Sequence, residues 1–590
     1  MAYLRSWMNS KKESADNTES NALNFEISTS KEEKLSSIQQ HNNTFLKENL
    51  SNTVHALQET LSNEIVESNM MEVTENVEVD TYLNSNIPTP LLQTGLNENV
   101  KNNIMEASEN IDVDSYSNFK ILLQQYCINS NLNHVQIRGL LGILRTHQCY
   151  QKLPKDSRTL LKCKRNKLSF TTIGNGVYWH IGLVHTLREH LQFFEKLPDI
   201  LKLDLNTDGL SLNKSNPYQF WPIQFRITNI VGFKPLIAGI CKGPDKPSDI
   251  NLFFQQLIDE YKDVKRRGGL LINKKKISII FENFIADAPA RALILNHLSH
   301  NGTEPCSKCK VSGYKYKNRT MVFPGIDFEK RNDKDYKALV YDDHQKGKKP
   351  LFKLDISPTL HTPFEIIHLV YLGLTVKHLE AWINGKYEYT AKLSKLFSEE
   401  LSQRYLHLNK FCPNDFARRP RSLLKPGKLK ATEFRHFLLY ASSVVCEEII
   451  PMNQLVHLRH LIIAMRIFCQ NNITEEQFLI AETCLKVYVT FAPNLYTLAF
   501  VSYNVHAVQH IVDDARLCGN LEKISAFTYE NNMPLFKKNI RNHPKPLQQL
   551  TNRLQEKQGI QHKMLDKSCS NYSKVSIQHT EGPIPVELTS

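Results

Sequence analysis

LKLDLNTDGLSL (residues 201–212) decides how this chain is read. Leu201, Leu203 and Leu205 alternate with polar neighbours, the period of a strand with one face on a core, and Asp208-Gly209 then breaks the alternation as a turn. Two further alternating runs follow, FWPIQFRITNIV (220–231) and KPLIAGICKG (234–243), separated by Asn, Gly and Pro. Pro247-Ser248-Asp249 is an N-cap signal for an amphipathic helix, DINLFFQQLIDEYKDVK (249–265). KKISIIFENFIADAP (275–289) supplies another strand and ARALILNHL (290–298) another helix. Asp208 therefore stands at the end of the first of these strands and Asp287 just past the fourth.

Upstream, FKILLQQYCINSNLNHVQIRGLLGILRTHQCY (119–150) carries apolar residues at helical spacing and predicts two short helices. Downstream, the chain is irregular and then strongly helical, in IIHLVYLGLTVKHLEAWI (366–383), TEFRHFLLYASSVVCEEII (432–450), LVHLRHLIIAMRIFC (455–469) and TEEQFLIAETCLKVYVTF (474–491). Such a stretch is too long for a loop and predicts a helical insertion. Residues 1–115 are rich in Asn, Ser, Glu and Thr and too poor in apolar residues to offset their ordering entropy, so disorder is expected there. MEVTENVEVDTYLN (71–84) returns as MEASENIDVDSYSN (105–118), identical at eight of fourteen positions. The repeat fits a docking peptide for a protein partner, and fits better a local duplication in unconstrained sequence.

The chain has 590 residues, enough for two or three domains, and a net charge of +13. That charge hides a division. Residues 1–115 hold seven Lys/Arg against nineteen Asp/Glu, leaving 66 basic and 41 acidic residues in the rest, a balance of +25. A body so basic suggests a polyanionic partner, since cations facing phosphates gain from counterion release. The densest run is Arg418, Arg419 and Arg421 with Lys425, Lys428, Lys430 and Arg435, followed later by Lys537, Lys538 and Arg541, and KCKRNK (162–167) is a smaller one. These read as phosphate contacts or import signals, or as solvated loops. No apolar run reaches the ~18–20 residues that span a bilayer, which argues against a membrane partner. No 7–15-residue apolar stretch follows the basic residues of MAYLRSWMNSKKES, which argues against a secretory signal. Twelve scattered cysteines are no disulfide framework and suit a reducing compartment, cytosolic or nuclear.

Isolated acids at element ends are what a two-metal site requires, where carboxylates hold Mg²⁺ (or Mn²⁺) and phosphate oxygens fill the open positions. Asp-Gly and Asp-Ala-Pro are also ordinary turn and cap signals. For a third acid, Glu530, Glu365, Glu433, Glu447, Asp513 and Asp514 compete. Glu530 is followed by several cations on one helix candidate, which suits a strand-transfer site. Cys306 and Cys309 have the spacing that lets two thiolates share one zinc, with His300, His344 and His368 as candidates for the other two ligands. A turn with two buried thiols explains the pair equally well.

Seven words in order carry a family resemblance. They are LPKDSRTLLK (153–162), DG…QFWP (208–222), DAPA with an H-x-G and a CxxC (287–309), FEIIHLVYLGL (364–374), DFARRPRSL…KATEFRHFLLY (415–440), YNVHAVQH (503–510) and SAFTYENN…PLQQL (525–550). From about Phe119 to Glu556 the chain resembles the transposase-domain proteins of animal genomes, relatives of the CACTA-type DDE transposases. The resemblance implies an α/β fold, a ribonuclease-H-like core with a large mainly helical insertion, preceded by the disordered acidic region. The expected divisions are a helical segment over 116–175, the first part of the core over 176–298, an insertion over 299–500, core completion over 501–556 and a flexible tail over 557–590.

It also implies that Asp208, Asp287 and Glu530 hold Mg²⁺ and cut and join DNA in the nucleus. It favours Glu530 through SAFTYENN, and His344 and His368 beside Cys306 and Cys309 as zinc ligands. Glu365 stands where relatives usually carry Asp, which marks His368 as structural or metal-supporting as well. A homo-oligomer is a further expectation. Two departures favour an alternative, a domesticated or decayed copy that binds DNA or protein without catalysis: Ala286 replaces a family-typical Cys, and no separate amino-terminal DNA-binding module is visible.

Overall fold

The computed structural model describes residues 116–163, 169–212, 218–387, 391–540 and 545–556. The expectations of disorder over 1–115 and of a loose tail over 557–590 lie outside these residues, as does most of KCKRNK.

The fold is mixed α/β around one curled sheet. Its strands are β1 (Thr171–Ile173), β2 (Gly176–His180), β3 (Ile200–Thr207), β4 (Leu210–Ser211), β5 (Gln219–Ile227), β6 (Leu236–Gly243), β7 (Leu270–Ile272) and β8 (Lys275–Ile285). The order across the sheet is β1-β2-β6-β5-β3-β8-β7, with β4 added to β5. All pairs are antiparallel except β3 with β8, which run side by side in the same direction. The first strand of the β1–β2 hairpin falls in the stretch expected to be helical up to residue 175. Thr171, Thr172 and Ile173 favour strand by their β-branching, and Gly174, at φ +54°, turns the chain back.

Helices cover both faces. On one side α1 (Leu183–Leu191) and α2 (Ile250–Arg266) pack against Leu201, Leu203 and Leu205 of β3 and Trp221, Ile223, Phe225 and Ile227 of β5. Asp249 caps α2 by accepting from the backbone N–H groups of Asn251 and Leu252. On the other side Phe220 and Ile240 meet Met533, Phe536, Leu547 and Leu550. A strand buried on both sides reads as a nearly unbroken apolar run, and FWPIQF is such a run.

After β8 comes the short helix α3 (Ala288–Ile294), and then a long, mainly helical stretch. A π-helical segment, Ile367–Thr375, continues into α4 (Val376–Asn384), and α5 (Met452–Phe468) and α6 (Glu475–Tyr496) pack together. The chain returns to the sheet through α7 (Tyr503–Ala507), α8 (Ile511–Cys518) and α9 (Phe527–Lys538).

Candidate functional site

The first acid sits where a ladder opens. Thr207 pairs with Ile223 and Leu210 with Phe220, so in the same register Asp208 faces Pro222 and Gly209 faces Trp221. Proline has no N–H to give the ladder, and the strand lapses at Asp208 and resumes as β4. At Gly209 a Cβ would stand 2.9 Å from Cζ2 of Trp221, so only glycine lets the chain pass the indole. The two halves of DG…QFWP are thus opposite sides of one feature. The Gly209 N–H donates to Asp208 Oδ1 at 2.6 Å.

The second acid caps a helix. Asp287 Oδ1 accepts from the Ala290 N–H at 2.8 Å, and Pro289 lies in the first turn. Asn206 pairs with Ile285, so the two acids leave the carboxyl ends of adjacent parallel strands. Beside them Ala286 makes a parallel bridge with Phe364, and the Phe284 N–H donates to the His361 carbonyl at 2.8 Å. That pairing delivers Glu365 and His368 to the same end of the sheet.

The third acid arrives on α9. A buried polar chain seats this helix: Asn532 Nδ2 donates to Gln224 Oε1 at 2.8 Å, Gln224 Nε2 to Asn206 Oδ1 at 3.1 Å, and Asn206 Nδ2 to the Ile285 carbonyl at 2.8 Å. Asp208, Asp287 and Glu530 then line one cleft with Asn206, His368 and Tyr529. Glu530 Oε1 is buried without a hydrogen-bond donor, and His368 Nε2 approaches it only to 3.6 Å.

Crowding of acids shows in their protonation. Burial, then the charge of Asp287, pushes Asp208 up to about 7 against the pull of the Gly209 N–H. Glu530 is also raised, chiefly by burial, with His368 opposing and Glu365 and Asp287 adding to it. Burial alone would lower His368, but the hydrogen bond and charge of Glu365, then Glu530 and Asp287, lift it to about 9. The cleft thus gathers three carboxyl groups, one with an undonated oxygen, beside a protonated imidazole, though their oxygens do not close up as tightly as the ligand atoms of the next group.

A second group forms away from the acids. Cys306, Cys309, His506 and His510 are all buried, with one ligand atom from each within 4.8 Å of the others. His506 Nε2 lies 3.3 Å from Cys309 Sγ and 3.4 Å from His510 Nε2, and Gln509 Nε2 bonds His506 Nδ1 at 3.1 Å. Burial would raise Cys306, yet hydrogen bonds from Cys309 and the two imidazoles bring it well below the usual thiol range. Two cysteines and two histidines so placed fit zinc, which would take both sulfurs as thiolates.

The expected histidines are elsewhere. His344 uses Nδ1 on the Glu304 carbonyl and Nε2 on the Tyr336 hydroxyl, and stacks on His297, so neither nitrogen is open to a metal. His368 faces the acids instead. YNVHAVQH carries the missed pair, whose four-residue spacing puts both rings on one side of a helical turn. Among the described residues His134, Cys163 and Glu556 also converge, closed by a Cys163-to-Glu556 hydrogen bond and by Arg553 on Glu556.

The cations divide. Arg418, Arg419, Lys430, Lys537 and Lys538 are exposed. Arg421 grips Glu433 through Nε and Nη2 at 2.5 and 2.6 Å, which neutralises it locally. Arg435 is no surface contact: it is 1% exposed and its Nε donates to Glu522 at 3.0 Å. Arg541 lies outside the described residues.

No family model matches the chain, and no curated protein matches it. The resemblance rests on the quoted words alone.

Proposed function

We propose that the chain is a DDE-type DNA transposase, or a descendant of one, acting on DNA in the nucleus by two-metal phosphoryl transfer. The observation that carries this reading is the convergence of Asp208, Asp287 and Glu530, the last from a helix 243 positions after the second, with Glu530 Oε1 left without a donor. The strand order β6-β5-β3-β8, with β5 antiparallel to both neighbours and β8 parallel to β3, supports a ribonuclease-H-like core.

Asp208, Asp287 and Glu530 are the residues to hold Mg²⁺ or Mn²⁺. Bound there, the ions supply charge stabilisation to the attacking and leaving oxygens of an in-line displacement. Asp208 gives up the proton that burial lets it keep. His368, held by Glu365, presents a positive charge to the phosphate's oxygens. The Asn206–Gln224–Asn532 chain keeps Glu530 over the strand ends. Cys306, Cys309, His506 and His510 form a structural zinc site in this reading.

The alternative, an adopted copy that binds without cutting, gains from Arg421 and Arg435. Both are spent on internal ion pairs and so thin the proposed DNA surface. Incubating the full chain with plasmid DNA and Mg²⁺ or Mn²⁺ decides between them. Strand cleavage that Asp287→Asn abolishes, with DNA affinity kept, supports the enzyme, since Asn still caps α3. Binding without cleavage by the wild type supports the alternative, and absence of binding overturns both.

A further inference from the structure

The cleft of the three acids leaves a cavity of only about 10 Å³, room for about one water, so a phosphodiester reaching them must occupy adjoining space. A cavity of about 260 Å³ adjoins it, sharing Asp287 and His368 and walled further by Arg291, His300, Tyr503 and Asn504.

Arg291 is the unusual member. It stands on α3, one turn after Asp287, and is 4% exposed. Its Nη2 donates to the Ala286 carbonyl at 3.1 Å, and its guanidinium carbon lies 4.2 Å from the centre of the Phe364 ring. Nε and Nη1 meet no hydrogen-bond acceptor. The Tyr503 hydroxyl is in loose polar contact with the guanidinium, and no well-formed hydrogen bond occupies Nε or Nη1. Asp287, the acid one turn back, has turned Oδ1 to cap the helix instead of pairing with Arg291. On the same cavity His300 Nδ1 is also buried without a partner.

A guanidinium cannot shed its proton, and a buried unpaired cation costs the fold stability. Its open Nε–H and Nη1–H leave from opposite edges of the guanidinium, so each is a separate charge-assisted donor for a phosphate oxygen. The other charges facing the cavity are Asp287 and Glu365, negative, and His368, positive. The two carboxylates have other work, in capping α3 and in holding His368.

We propose that this cavity is a phosphate subsite, in which Arg291 with His300 beside it takes the phosphate next to the scissile one on a DNA strand entering the cleft of acids. Naming DNA as the source of that phosphate rests on the proposed function. The anion site itself rests on Arg291 and His300.

The test uses the full chain in metal-free buffer, with thymidine 3′,5′-bisphosphate, inorganic phosphate and thymidine as probes. The bisphosphate should raise the wild-type melting temperature, phosphate should raise it less, and thymidine should leave it unchanged. Arg291→Met keeps the bulk and removes the charge. It should weaken bisphosphate binding at least tenfold while melting no lower than wild type, because an unpaired buried cation is gone. Arg291→Lys, a point charge that cannot present donors at both places, should recover only part of the affinity, and His300→Ala should weaken binding severalfold.

A lower melting temperature for Arg291→Met with unchanged bisphosphate affinity would make Arg291 a purely structural group and overturn the proposal. Stabilisation by thymidine equal to that by the bisphosphate would overturn it in favour of a base pocket. Glu530→Gln separates the two ideas, since it should lose metal-dependent cleavage and keep bisphosphate binding. If no variant or wild type cleaves DNA yet the bisphosphate effect holds, the subsite stands and the enzymatic reading falls.

Discussion

Asn532 Nδ2 donates to Gln224 Oε1 at 2.8 Å, and this bond ties the helix that carries Glu530 to the strand beside Asp208. Gln224→Leu fills the same space but leaves Asn206 Oδ1 and Asn532 without their partner. The expected outcome is a loss of about 1–3 kcal/mol in stability. If the chain cuts DNA as proposed, cleavage should fall roughly 10–100-fold, as when an outer partner of a metal ligand is removed. Denaturant melts and a cleavage time course check both. Full activity in Gln224→Leu would show that α9 is seated by packing alone.

Gly209 meets Trp221 where the ladder opens. Gly209→Ala pushes a methyl against the indole, so the melt should show a loss of about 1–3 kcal/mol, the usual cost of overpacking. Adding Trp221→Phe should return part of that loss, because the ring atom in the way is removed. Equal stability of the single variant and wild type would contradict the close approach.

Asp208 predicts a pH effect of definite sign. Its folded value, about 7, lies above the unfolded value of about 4, so between these pH values the folded state binds the extra proton. Stability in chelator should therefore fall as pH rises through that window and level off above it. Asp208→Asn should remove this slope, so that the variant melts close to wild type near pH 4 and above it at pH 8. Mg²⁺ should narrow the gap at pH 8 by stabilising the ionised wild type. An unchanged slope in Asp208→Asn would place the titration elsewhere.

Purified protein should carry zinc at Cys306, Cys309, His506 and His510. His510→Ala and Cys306→Ser should each lose it and melt lower, whereas His344→Gln should retain it. Metal analysis on the three variants distinguishes the assembled ligands from the histidines the sequence favours. Zinc retained in His510→Ala but lost in His344→Gln would reverse the assignment.

The cations should separate by role. Arg435→Ala strands Glu522 in the interior, so the expected cost is about 3–5 kcal/mol of stability. Lys537→Ala and Lys538→Ala should leave stability nearly unchanged. If they meet phosphates, each should flatten the salt dependence of DNA binding by about one unit in slope.

Sequence and structure agree most where local chemistry is strong. The strands holding Asp208 and Asp287 are visible because alternation and turn residues are encoded within a few positions. Their adjacency needs the parallel β3–β8 pairing, which only a fold analogy supplied. Arg435 looked like the tail of a basic run, yet its immediate context, EFRHFLL, is that of a buried helix. Its partner Glu522 lies 87 positions away, beyond any local signal. His506 likewise meets Cys309 across 197 positions. The H-x-x-x-H spacing was legible, but its destination was not. Ion pairs and metal ligands of this kind are properties of tertiary contact, and a single sequence carries only their halves.

Two acids lie on adjoining strands, and the third comes only after the long helical stretch has been threaded and packed. During synthesis the first pair can reach its place while most of that stretch is still unmade, because domains form in order as the chain emerges. The cleft stays open on one side until α9 docks and the Asn532–Gln224 bond closes. An unfinished or truncated chain thus has two of the three carboxylates and the empty seat on Gln224, and lacks the helix that brings the third.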